Sequence, residues 1–156
     1  MNPDDVFDRI RAAFADDVKF SASPPVDDMK DRDGYFWQED GRSRIWLRAG
    51  QRGIERLASL IYVLGHHLSY GYGWPEDYKD AIVEHFVDHW HGRPTEQRRA
   101  VIDEEVRAWR YGMRLAEQHG FDDHEALEKI AFARLEDYRA RVDLADDEFD
   151  MVVASL

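Results

Sequence analysis

Two adjacent histidines, His66 and His67, sit in the run Leu60-Ile61-Tyr62-Val63-Leu64-Gly65-His66-His67-Leu68. Imidazole binds metals and carries protons near neutral pH, so this is the first place to look for chemistry. The second is Glu104-Glu105-Val106-Arg107-Ala108-Trp109. At helical spacing Val101, Ile102, Trp109, Gly112 and Ala116 form an apolar stripe. Glu105 projects from its middle, while Asp103 and Glu104 are expected to point away. A carboxylate aimed into a core is costly unless it is paired or hydrogen-bonded. Glu105 therefore needs a partner, and His66 is the candidate. Val63 falls almost opposite the apolar stripe of its own helix, where a water-facing polar residue is expected. An apolar side chain there suggests a cleft filled by the protein itself or used as a sticky surface.

Other candidates carry less chemistry. His85 and His89 stand one helical turn apart with His91 close by, which is half of a metal site or a pair of hydrogen-bonded core residues. Asp77, Asp80, Glu84 and Asp88 recur at spacings that place them on one helix face as an acidic ridge. That ridge reads as a solvated face or as a docking surface for a basic protein. Ser69 lacks the strand-turn-helix setting of a nucleophile elbow. Gly71 and Gly73, set among tyrosines and Trp74, read as a turn with aromatic packing rather than a phosphate loop.

The elements that must position these residues follow from periodicity and punctuation. Residues 3–15 form a first helix, opened by Pro3, with Val6, Ile10 and Phe14 at four-residue spacing. The run 21–33 is rich in Pro, Ser and Asp and reads as loop. Tyr35-Phe36-Trp37 and Ile45-Trp46-Leu47 form a hairpin around Asp40-Gly41. A second helix spans about 52–69, buries Ile54, Leu57, Ala58, Ile61, Gly65 and Leu68, and carries Tyr62, Val63 and His66. A third covers about 76–90. A fourth runs from a Thr95 cap to about His119 and carries Glu105, with Gly120 as its stop. Asp122 and Glu125 resemble a capping box opening a fifth helix, along which Leu127, Ile130, Ala131, Leu135 and Tyr138 align. Residues 143–156 read as an acidic, mobile tail or, in the alternative, as one docked on the domain by Phe149, Met151, Val152 and Val153. The expectation is one mostly helical α+β domain over 1–156, with about five helices and a β-hairpin.

The active-helix run and the Glu105 segment together resemble the zincin-like peptidases of the ImmA/IrrE type. Their helix carries His-Glu-x-x-His, often continued as Leu-Gly-His-His, and a later helix supplies a glutamate ligand followed by alanine. In that family two histidines one turn apart reach zinc, and the glutamate between them activates the bound water. The resemblance covers roughly residues 35–118 and implies a zincin-like fold with a substrate-holding strand ahead of the active helix.

It also implies a broken site. Alignment on Leu64-Gly65-His66 puts Tyr62 at the first histidine and Val63 at the catalytic glutamate, and valine neither accepts nor donates a proton. Tyr62, Val63, His66 and Glu105 are thus a vestigial site, with no catalytic residue, no stoichiometric zinc and no cofactor expected. His66 and Glu105 are expected within hydrogen-bonding range of each other.

Composition bounds the function further. Hydrophobic residues are 44% and charged ones 35%, the balance of a globular domain. The absence of cysteine removes disulfides and thiolate chemistry. A net charge of −12 disfavours direct nucleic-acid binding and fits a partner with a basic surface. The acidic N-terminus lacks a signal-peptide layout, and no apolar run approaches membrane-spanning length, so a cytoplasmic location is expected. The leading expectation is a catalytically inactive metallopeptidase-like protein that binds another protein. Its size and degenerate motif suit an accessory protein of a phage or mobile element. Two rivals stand beside it: an acidic inhibitor that mimics nucleic acid, and a metal-dependent hydrolase drawing on His66, His85, His89 and Glu105.

Overall fold

A computed structural model describes residues 1–27, 30, 32–70 and 93–156. The third expected helix, the ridge of Asp77, Asp80, Glu84 and Asp88, and the cluster of His85, His89 and His91 all lie outside the described residues. The rest is a mostly helical α+β arrangement. In chain order it runs α1 (Pro3–Ala13), β1 (Val18–Ser21), β2 (Gly34–Glu39), β3 (Arg42–Leu47), α2 (Gly53–Tyr70), α3 (Thr95–Gln118), α4 (His124–Glu136), the single turn α5 (Arg139–Val142) and α6 (Asp146–Val153).

Helix α1 begins where its sequence says it should. The Asn2 side chain accepts from the Asp4 amide at 2.9 Å, and Asp4 and Asp5 sit at the positive end of the helix. Val6, Phe7 and Ile10 are buried. The hairpin turns at Asp40 and Gly41, both at positive φ (52° and 72°), which is the backbone a two-residue connection between twisted strands requires. Strands β2 and β3 pair antiparallel with Phe36 opposite Ile45, and both side chains are buried.

Strand β1 was not expected. It pairs in parallel with β3, placing β3 at the centre of the order β1-β3-β2. Four residues with one fully buried side chain carry too little alternation to stand out.

Helix α2 occupies the middle of the molecule, packed against α1, α3, α4 and the sheet strands β2 and β3. Leu57, Ala58, Leu60, Ile61, Val63 and Leu64 are all fully buried, so apolar side chains surround the axis rather than forming one stripe. Val63 is therefore no exposed patch: a Cβ added at Gly34 of β2 would lie 3.1 Å from its Cγ1.

Two helix starts differ from expectation. Pro94, not Thr95, caps α3, and no side chain accepts from its first turn. Asp123, not Asp122, caps α4 by accepting from the Ala126 amide at 3.1 Å. The stop after α3 is as expected, with Gly120 at φ 95°.

Of the two expectations for residues 143–156, the docked one is seen. Helix α6 buries Phe149 and Val152 and leaves Met151 exposed. Arg139 anchors it, pairing with Glu136 of α4 and with Asp146 and Asp150 of α6. Arg98 of α3 donates to the Val142 carbonyl at 3.1 Å and also to that of Asp143.

Candidate functional site

Helices α2 and α3 approach so closely that there is no room for side chains at their crossing. A Cβ on Gly65 would overlap the Ala108 carbonyl oxygen, and one on Gly112 would overlap that of Ile61. Glycine at these two positions brings the His66 turn of α2 against the Glu104–Glu105 turn of α3.

His66 then lies between two carboxylates. Its Nε2 is 3.4 Å from Glu105 Oε1, and its Nδ1 is 3.5 Å from Glu104 Oε1. All three side chains are at most 3% exposed. The expected pairing of His66 with Glu105 is present. The expectation that Glu104 points away is overturned. Glu104 faces the C-terminal half of α2, accepts from Ser69 Oγ at 2.9 Å, and lies 3.4 Å from Arg107. The buried face of α3 is wider than its apolar stripe, and α2 covers Glu104 at the edge of that face.

The charge state of this trio follows from its surroundings. Burial alone would push the His66 imidazolium toward neutrality. The Glu105 charge and hydrogen bonding to Glu104 and Glu105 outweigh it and raise its pKa to about 10. That balance favours His66 as a buried cation, with its two ring nitrogens 3.4 and 3.5 Å from the carboxylates.

On the far side of Glu105, Tyr62 donates its hydroxyl to Oε2 at 2.6 Å. The Tyr138 hydroxyl lies 3.3 Å from that of Tyr62. Burial, and then the Glu105 charge, hold the Tyr62 phenol well above its ordinary pKa. Tyr62 also stacks on Trp109, with ring centroids 5.1 Å apart, and meets His66 edge-on. Tyr138, Ser69 and Arg107 are members of this network that spacing did not single out. Tyr138 carried a signal, its place in the apolar stripe of the expected fifth helix, but only as a core residue; it lies just beyond the end of α4.

His67 turns the other way, toward the sheet. Its Nδ1 is 2.6 Å from Ser43 Oγ, which also accepts from Gln38 Nε2 at 2.6 Å. Burial lowers its pKa against the opposing charge of Asp17. Ser43 is buried in the sheet, so the pair tethers α2 to β3 rather than presenting a nucleophile.

In front of Tyr62, Glu105 and Trp109 opens a cleft of about 340 Å³, walled by Arg32, Arg134 and Arg141 and by Tyr35 and Tyr138. Arg134 is committed to Asp33 and Glu55, each at 3.2 Å.

The zinc that the peptidase resemblance implies does not suit this donor set. One imidazole nitrogen and one carboxylate are available, and the third group is a phenol held in its protonated form. Among the described residues no group of three His, Asp or Glu side chains is arranged to hold a metal ion. Nor is any helix among them long and apolar enough to cross a membrane. Comparison with known proteins found no matching family model, curated protein or solved structure.

Proposed function

We propose that the chain is a zincin-like domain that no longer hydrolyses peptides and acts by binding another protein through the cleft over Tyr62. One observation carries the reading: the groups that would hold and activate a metal-bound water are spent on one another. Glu105 accepts from Tyr62 at 2.6 Å and faces the His66 cation. Val63, at the position of the general base, is apolar and fully buried. Loss of such a base removes about 10²–10⁴-fold of rate on its own.

The cleft supports binding instead. Tryptophan, tyrosine and arginine dominate hot spots of protein interfaces, because each combines a large contact area with a polar edge. Here Trp109, Tyr35, Tyr138, Arg32, Arg134 and Arg141 share one concavity. The ridge of Asp77, Asp80, Glu84 and Asp88 is a second contact proposed from sequence spacing, toward a basic surface on the partner.

The test is metal analysis of untagged protein together with photo-crosslinking from Tyr35 and Arg141, each replaced by a photoreactive residue, in host extract. Substoichiometric zinc, no chelator-sensitive peptidase activity and a discrete crosslinked protein are expected. Equimolar zinc whose removal abolishes hydrolysis would overturn the reading.

A further inference from the structure

A second cavity of about 300 Å³ lies where the end of α1, the end of β3 and the start of α2 meet. Its lining includes Arg11, Arg48, Arg56, Gly50, Gln51 and Phe7, and no acidic residue. In a chain of net charge −12, three guanidinium groups on one cavity outnumber the two carboxylates that reach them, Asp33 at Arg48 and Asp4 at Arg56.

We infer that this cavity binds a phosphate group. Rings hold Arg11 and Arg56, and one carboxylate holds Arg48, which leaves donors to spare. The Arg56 guanidinium lies 3.7 Å above the Phe7 ring, and Arg11 lies 5.1 Å from the centre of Phe20. Arg56 Nη1 is 3.6 Å from Asp4, and Arg48 Nη2 is 2.5 Å from Asp33. Each guanidinium has five N–H donors, so a single carboxylate contact does not exhaust it. Planar, forked donors match phosphate oxygens, and several together favour a doubly charged group over a monovalent anion. The overall negative charge repels extended polyanions, so the ligand is compact: a small phosphate monoester or the free ion.

Asp33 sharpens the inference. Its Oδ1 pairs with Arg48 and its Oδ2 with Arg134 at 3.2 Å. A phosphate in the cavity competes with Asp33 for Arg48, so removing that carboxylate's charge should strengthen phosphate binding.

The experiment is an NMR titration of the full chain with inorganic phosphate at constant ionic strength, with chloride as control. Saturable shifts at Gly50 and Gln51 in the millimolar range or below are expected. Arg11→Gln should weaken binding about tenfold, the loss of one charge-assisted contact, and Asp33→Asn should tighten it. Phenyl phosphate binding more tightly than inorganic phosphate identifies an ester ligand, and equal affinity identifies the free ion. Shifts that chloride reproduces, or an affinity unchanged in Arg11→Gln with its spectrum otherwise native, would overturn the assignment.

Discussion

His66 and His67 are neighbours in sequence and opposites in state. One faces α3 and two buried glutamates, and its pKa is raised to about 10. The other faces the sheet, meets Ser43, and has its pKa lowered by burial. His66 is buried and His67 only half-buried, yet the deeper ring has the raised pKa, so burial alone does not set the charge. Neighbouring charge decides: two close carboxylates raise the pKa of His66, whereas at His67 burial prevails over the charge of Asp17. The α2–α3 interface is therefore ionic and the α2–sheet interface is neutral, on either side of one helix.

Breaking the ionic side should cost most. Glu105→Ala leaves the His66 cation and the Tyr62 hydroxyl without their shared acceptor, and a loss of about 3–5 kcal/mol is expected for a broken buried pair. Urea denaturation measures it. A loss no larger than that of an exposed substitution would mean the carboxylate is not ionised there.

The pH dependence follows next. With its pKa raised from the ordinary 6.5 to about 10, His66 binds a proton in the folded state that the unfolded chain has released over that window. Its contribution is thus complete below about pH 6.5 and falls away as pH rises toward 10. Glu104, Glu105, Arg107 and Tyr62 face the ring, and the raised phenols titrate above the window. His67 acts with the opposite sign, contributing above its ordinary pKa and losing that contribution as pH falls. Stability of the wild type compared with His66→Asn across the window should show the downward slope only in the former.

Tyr62→Phe removes one hydrogen bond to a charged acceptor and should cost about 1.5–3 kcal/mol. Ser43→Ala on the neutral side should cost about 1 kcal/mol, because half-buried His67 can turn to water. Equal losses from these two substitutions, read by thermal or urea denaturation, would erase the contrast between the interfaces.

Much of this was legible in the sequence, and the failures have physical causes. Asp40-Gly41 announced the hairpin through backbone chemistry that few other residues supply. Glu105 stood out because a carboxylate inside an apolar stripe demands a partner, and His66 answered it. Glu104 escaped because the buried face of α3 is wider than its apolar stripe, and the close crossing at Gly65 and Gly112 lets α2 cover that edge as well. Val63 escaped for a related reason: a central helix has no water-facing side. Strand β1 depends on pairing with β3, a non-local event that four residues cannot signal. The C-terminal acidic run hid a docked helix, since Phe149 and Val152 bury while Arg139 gathers the acids around them.

The central claim is that a buried imidazolium between Glu104 and Glu105 stands where the resemblance would place a metal. The most direct measurement is ¹⁵N NMR of the histidine side chains in metal-free protein at mildly alkaline pH. The prediction is that both ring nitrogens of His66 carry protons there, while His67 shows one protonated and one bare nitrogen. A bare nitrogen on His66 under those conditions, and above all one that takes up stoichiometric zinc, would contradict it.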